Sequence, residues 1–395
     1  MTGVELARIV GLVAGVAIVL VTMWNVFTAL VLPRVTSSRI PRGITRAVAG
    51  VARKVSPRLP TYEVRDRILS FVGPASMILL FGLWICLLMF GFGLIIWWNA
   101  GNDFASAIGI AGSSIFTLGI ASASGAGPHT LEILTAGVGL LVIALEIAYL
   151  PALYNAFAAR ETEVTLLEAR SGAPGWGPEI LARHYWLDNI DNLPPLYLDW
   201  ERWAAAVSES HANYPTLIWF RSPVPRRSWL VGLVAMMDSA ALYHSVSPDQ
   251  TPQQARLCLS MGIRCLRSIA RALKIPYETD PLPTTGTRLT RAEFDDGFRR
   301  LEEVHFPMER DADEAWRHFQ GWRVNYESIV DTLTRLILPP PSPWFVAQPA
   351  LGDVTWPVVK NRTPDAPEGT LNFGKSQFGK SKTFSTPSRR ESNRS

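Results

Sequence analysis

Lysine and arginine are missing altogether from Ile68 to Ala159, a stretch whose sole charges are Asp103, Glu132 and Glu146. Any surface built from it carries negative charge, which excludes an anion site there. Cysteine is scarce as well: the chain has three, Cys86, Cys258 and Cys265. The last two are two helical turns apart, about 10 Å and beyond disulfide reach, so a disulfide scaffold is excluded and inert buried thiols are expected. Metal-ligand spacings of His and Cys, paired acid/base spacings and nucleophile motifs are also missing. His305, Glu309, Asp313 and His318 share a region without ligand spacing. The sequence therefore calls for no metal, no cofactor and no enzyme chemistry.

What is present is apolar length. Ile9 to Leu32 holds 24 residues without a charge, Ile68 to Trp98 another 31, and Ile133 to Ala159 a further 27 with one acid. Each exceeds the roughly 20 residues that cross hydrocarbon. The first is too long for a signal peptide and no small-x-small cleavage site follows it, so it reads as a retained anchor. Between the first two segments lie Arg34, Arg39, Arg42, Arg46, Arg53, Lys54, Arg58, Arg65 and Arg67, opposed only by Glu63 and Asp66. Positive charge stays on the cytoplasmic side, which places the N-terminus outside and everything after Arg160 inside. Trp97 and Trp98 fall where an aromatic belt meets the outer interface.

Phe104 to Leu118 is apolar but only 15 residues long. That is too short to span and suits a re-entrant helix, followed by an extended return through Thr117-Leu118-Gly119-Ile120-Ala121-Ser122. Irregular backbone at membrane depth is tolerated where it is buried in protein or lines water. Asp103 and Glu132, in the predicted outer connection, would raise local cation concentration.

This layout resembles the two-helix pore module of the potassium-channel superfamily of pore-loop cation channels, whose filter reads Thr-Val-Gly-Tyr-Gly. Thr117, Leu118 and Gly119 match its first three positions. Ile120 replaces the Tyr, Ala121 the second Gly, and Ser122 stands where an Asp often follows; a Cβ at Ala121 would alter the carbonyl geometry. The resemblance covers residues 68–159 and implies a filter over Thr117, Leu118, Gly119, Ile120 and Ala121, monovalent cations as the permeant species and a homotetramer. A plain packing hairpin is the other reading of the same segment.

On the third segment, Thr135, Gly139, Val142, Glu146, Tyr149 and Leu153 share one helical stripe. An ionisable group in mid-membrane is costly unless it faces a bundle interior or water, so Glu146, with Thr135 and Gly139, is a candidate cavity residue; a packing carboxyl is the alternative. Inward-rectifying members of the superfamily are similar in carrying an acid on this helix. Gly137 and Gly139 would serve a bend or close packing.

The helix is expected to run on through Arg160 to Arg170 and stop at Ser171-Gly172. Beyond it, helical periodicity predicts helices over 177–189, 194–212, 227–245, 252–274, 290–304 and 310–337, with capping boxes at Thr251 and Thr290. Trp229 to Tyr243, about 15 residues with Asp238 inside, reads as the central helix of this domain and not as a further span. Arg256, Arg264, Arg267, Arg271 and Lys274 fall near one face, either a solvated surface or a contact for anionic membrane lipids or an acidic partner.

Gly369-Thr370-Leu371-Asn372-Phe373-Gly374-Lys375-Ser376 satisfies the phosphate-loop pattern, but no strand or helix flanks it. Phe373-Gly374-Lys375-Ser376 recurs as Phe378-Gly379-Lys380-Ser381, the mark of a low-complexity tail. The basic residues gather beside apolar segments and in this tail, which argues against nucleic acid as a partner.

The expectation is an all-α membrane protein with three transmembrane helices, a re-entrant pore loop between the second and third, and an all-α cytoplasmic domain. Its parts are an anchor at 1–33, a basic cytoplasmic loop at 34–67, the helix/pore-loop/helix module at 68–159, the helical domain at 160–338 and a disordered basic tail at 339–395. The function expected is a multimeric cation channel of the plasma membrane. The alternative is a non-conducting membrane sensor or scaffold.

Overall fold

The apolar runs set the architecture, because a continuous hydrophobic stretch that satisfies its backbone internally forms a helix. The computed structural model describes residues 3–32, 39–100, 103–283 and 285–345. Among the described residues every regular element is helical. The first half comprises α1 (Gly3–Leu30), α2 (Arg39–Val55), α3 (Tyr62–Ser70), α4 (Val72–Ala100), the short α5 (Phe104–Ile115) and the 46-residue α6 (Ala126–Ser171). α1 and α4 pack antiparallel, with Gly11 beside Trp97 and Gly15 against the Gly91 carbonyl. Arg8 lies over the Trp97 ring at 5.9 Å.

The second half is a helical bundle of α7 (Gly177–Trp186), α8 (Leu193–Asn213), α9 (Trp229–Val246), α10 (Gln253–Leu273), α11 (Arg291–Glu303) and α12 (Ala312–Ile337). Four helices are long and apolar enough to cross a membrane: α1, α3 with α4, α6 and α9. They differ in surroundings. The apolar windows of the first three are mostly uncovered, whereas that of α9 is 94% buried, wrapped by α7, α8, α10 and α12. Asp238 on α9 is fully committed, accepting from Arg323 and from the Tyr326 hydroxyl at 2.6 Å. Arg323 also donates to Glu327 and, at 2.9 Å, to the Trp344 carbonyl.

Several expectations are corrected. The 34–67 connection contains helices the sequence reading did not foresee: α2, a 3-10 turn at Ser56–Arg58 and the start of α3 lie in its described part, and Arg34 lies outside the described residues. Its arginines hide a 3.6-residue apolar repeat that buries Ala49 and Ala52 on Leu69 and Val72. α9 runs Trp229–Val246, close to the expected 227–245. Thr251 does not cap α10; its hydroxyl donates back to the Ser247 carbonyl at 2.6 Å and Pro252 takes the N-cap. Thr290 does cap α11, with Glu293 closing the box. Cys258 and Cys265 are buried, whereas Cys86 is exposed on α4. The tail does not begin at Pro339, because Trp344 and Phe345 join the core of the bundle and Trp344 Nε1 donates to the Glu293 carbonyl at 2.7 Å. Residues 346–395, with the phosphate-loop pattern, lie outside the described residues.

Candidate functional site

α5 begins at Asp103, whose carboxylate caps it by accepting the Ser106 N–H at 3.1 Å and the Ser106 hydroxyl at 2.5 Å. These bonds, the side-chain one first, hold the Asp103 carboxyl below the usual carboxylate range. The helix then runs into the cleft between α4 and α6. Its last residue, Ile115, touches α6 at Gly139, where a Cβ would stand 2.7 Å from the Ile115 oxygen. Only glycine admits that approach.

The chain turns back at once. Thr117 (φ 53°) and Gly119 (φ 68°) both adopt left-handed backbone, two residues apart. Their alternation with right-handed or extended neighbours turns successive peptide groups to the same side. The amides face α5: Thr117 N donates to the Ser114 carbonyl at 3.0 Å and Leu118 N to the Ser113 carbonyl at 2.8 Å. Ser113 Oγ accepts from both Ile120 N and Ala121 N, each at 3.1 Å. Further along, Ala123 N donates to Glu132 Oε1 at 2.5 Å, and Glu132 Oε2 faces His129 Nδ1 at 3.2 Å. No carbonyl from 117 to 121 accepts a hydrogen bond among the described residues. Carbonyl oxygens left free beside pinned amides can take a cation in place of water.

The candidate filter residues Thr117, Leu118, Gly119, Ile120 and Ala121 thus form one continuous loop, with Leu118 58% and Ile120 80% exposed. Of the vestibule pair, Asp103 is exposed at the start of α5, while Glu132 is tied to the loop on both oxygens. On α6, Thr135 and Gly139 are buried within the chain, Thr135 donating to the Leu131 carbonyl at 2.6 Å. Glu146, one turn beyond the buried Val142, has an Oε1 without a hydrogen-bond partner.

No protein-family model, curated protein or solved structure matches this chain. The reading of the site therefore stands on its own chemistry.

A second constellation, unseen in the sequence, joins the helices of this module to the bundle. The segment 215–221 is wedged between them, with Leu217 and Phe220 packed on Met77 of α4 and Leu153 of α6. Arg160, buried on α6, donates to the Leu217 carbonyl at 2.9 Å, to the Phe220 carbonyl at 2.7 Å and to Glu161 at 2.7 and 2.9 Å. Its Nη1 lies 3.3 Å from His211 Nε2, while His211 Nδ1 is 3.0 Å from the Val207 carbonyl. That pattern makes Nδ1 the protonated nitrogen and the ring neutral. Burial, then Arg160, push the His211 pKa well below the usual histidine range. Next along the chain, Arg221 donates to Asp66 at 2.5 Å, to the Tyr62 hydroxyl at 2.6 Å and to the Ile337 and Leu338 carbonyls at 2.6 and 3.0 Å. The one sequence signal for these groups is that Arg160 is the first basic residue after the long run without one.

The basic stripe on α10 is partly engaged within the chain. Arg256 lies over Trp322 at 5.7 Å and Arg267 donates to the Thr279 carbonyl at 2.8 Å.

Proposed function

We propose that this chain is the subunit of a multimeric cation channel in the plasma membrane. The observation that carries the reading is the loop at 117–121, where the amides of Thr117, Leu118, Ile120 and Ala121 are bound to Ser113 and Ser114 while the carbonyls are free. In this reading α1, α3 with α4, and α6 cross the bilayer, α5 enters and leaves from the outer side, and α9 stays within a cytoplasmic bundle. The N-terminus is outside, as the positive charge around α2 requires. A single loop cannot enclose an axis, so several copies assemble, four if the likeness to the potassium-channel superfamily holds. The exposed side chains of Leu118 and Ile120 would then pack on neighbouring subunits. Monovalent cations enter past Asp103, pass the free carbonyls and meet Glu146 in the cavity.

A non-conducting sensor of the same architecture is the second reading. The observation favouring it is Ala121, which stands at the family's second filter glycine and does not take up left-handed backbone.

Purified protein in potassium-loaded liposomes separates the two. Cation efflux is the expected result; no flux across voltage, pH and calcium conditions would overturn the channel reading.

A further inference from the structure

α2 presents three faces. Ala49 and Ala52 are buried against the α3–α4 elbow. At 100° per residue, Ile44, Ala47, Val51 and Val55 share an arc of roughly 80° away from that contact, and Arg46, Arg53 and Lys54 fill an adjoining arc of about 100°. Most of the apolar arc is uncovered: Val51 is 65% exposed, Val55 and Ala47 are exposed too, and Ile44 is half-buried. Arg46 and Lys54 are also exposed. A soluble surface does not normally place an apolar strip beside a strongly basic one.

The position of the helix says what covers the strip. α2 lies in the chain between the end of α1 at Leu30 and the start of α4 at Val72, and it packs on the first turn of α4. Because α1 and α4 are antiparallel, those two ends lie at the same level, where the long apolar runs give way to charge. A helix at that level with one apolar and one basic flank matches the boundary between acyl chains and anionic headgroups in both shape and sign.

We propose that α2 is an interfacial helix: Ile44, Ala47, Val51 and Val55 sit among the acyl chains of the inner leaflet while Arg46, Arg53 and Lys54 engage anionic lipid phosphates. The proposal rests on α1 and α4 crossing the membrane and is independent of whether the loop at 117–121 conducts. The basic side chains contribute roughly a fivefold preference each for an anionic surface.

Spin labelling tests it on the full-length protein in vesicles, with Cys86→Ser removing the exposed native thiol. Val13→Cys, on the exposed face of α1, reports whether the apolar helices are in the bilayer at all. With that label accessible to oxygen and shielded from a water-soluble nickel reagent, a label at Val51→Cys is expected to show the same preference in vesicles containing phosphatidylglycerol. The preference should weaken severalfold in pure phosphatidylcholine, and likewise when Arg46→Gln, Arg53→Gln and Lys54→Gln are combined. Ready access of nickel to the Val51 label would place the strip in water and overturn the proposal. Shielding from both reagents would overturn it equally, by showing that protein covers the strip, a second copy of the chain included. Failure of the Val13 control would instead reject the membrane reading beneath it.

Discussion

Arg160 Nη2 lies 2.7 Å from the carbonyl oxygen of Phe220, and through that bond the C-terminal part of α6 holds the segment that Arg221 ties to α3 and α12. Two consecutive anchor points, Phe220 and Arg221, thus join both long helices of the module to the last helix of the bundle. Replacing the buried guanidinium by Arg160→Ala leaves Glu161, two carbonyls and His211 without their donor. The expected loss is about 3–5 kcal/mol of unfolding free energy, read by denaturant melts in detergent; a change under about 1 kcal/mol would mean water replaces the donor.

His211 makes that junction sensitive to acid. Its folded pKa is depressed below that of the unfolded chain, so between the two values the unfolded state binds the extra proton. The stability involved is complete above about pH 6.5 and is lost as pH falls through that value, with a slope of up to about 1.4 kcal/mol per pH unit. His211→Gln can keep both hydrogen bonds without taking up a proton. Its melting temperature should decline less between pH 7.5 and 5.5 than that of the parent; equal declines would remove His211 as the cause.

Ser113→Ala deprives the amides of Ile120 and Ala121 of their acceptor, an effect of about 0.5–1.5 kcal/mol for each part-buried bond lost. The expected outcome is a shifted potassium-to-sodium permeability ratio, measured from reversal potentials in bilayers, with Ser113→Thr close to the parent. If the alanine variant kept the parent ratio, the hydroxyl would have no part in shaping the loop.

At Gly139 the prediction is steric. A methyl group 2.7 Å from the Ile115 oxygen forces α5 off α6, so Gly139→Ala should cost about 1–3 kcal/mol and impair cation flux together. Parent-like melting would show that the two helices separate freely.

Glu146→Gln keeps the size of the side chain and removes its charge. Lower cation conductance with unchanged folding is expected, measured as single-channel current; an unaltered current would assign Glu146 to packing.

The long helices were legible because apolar runs are local. So was the end of α6, since Ser171-Gly172 stops a helix by its own backbone preference, and Gly172 does adopt φ 79°. Contacts between distant segments were not. Glu132 looked like a free vestibule acid because nothing in the sequence reveals that Ala123 folds back onto it. Arg160 and Arg221 bind carbonyl oxygens, which every residue has, so no side-chain pattern announces their partners. In α2 the density of arginine masked an apolar repeat interrupted by alanine and glycine. Thr251 met the capping-box pattern, yet its hydroxyl found a carbonyl behind it before an amide ahead.

α6 extends without a break from Ala126 to Ser171, about 69 Å at 1.5 Å per residue. It is therefore a single shaft whose N-terminal end carries Glu132 against the loop and whose C-terminal part carries Arg160 into the bundle. Within that shaft Pro151 removes one backbone bond, which makes its turn the natural place for the helix to bend.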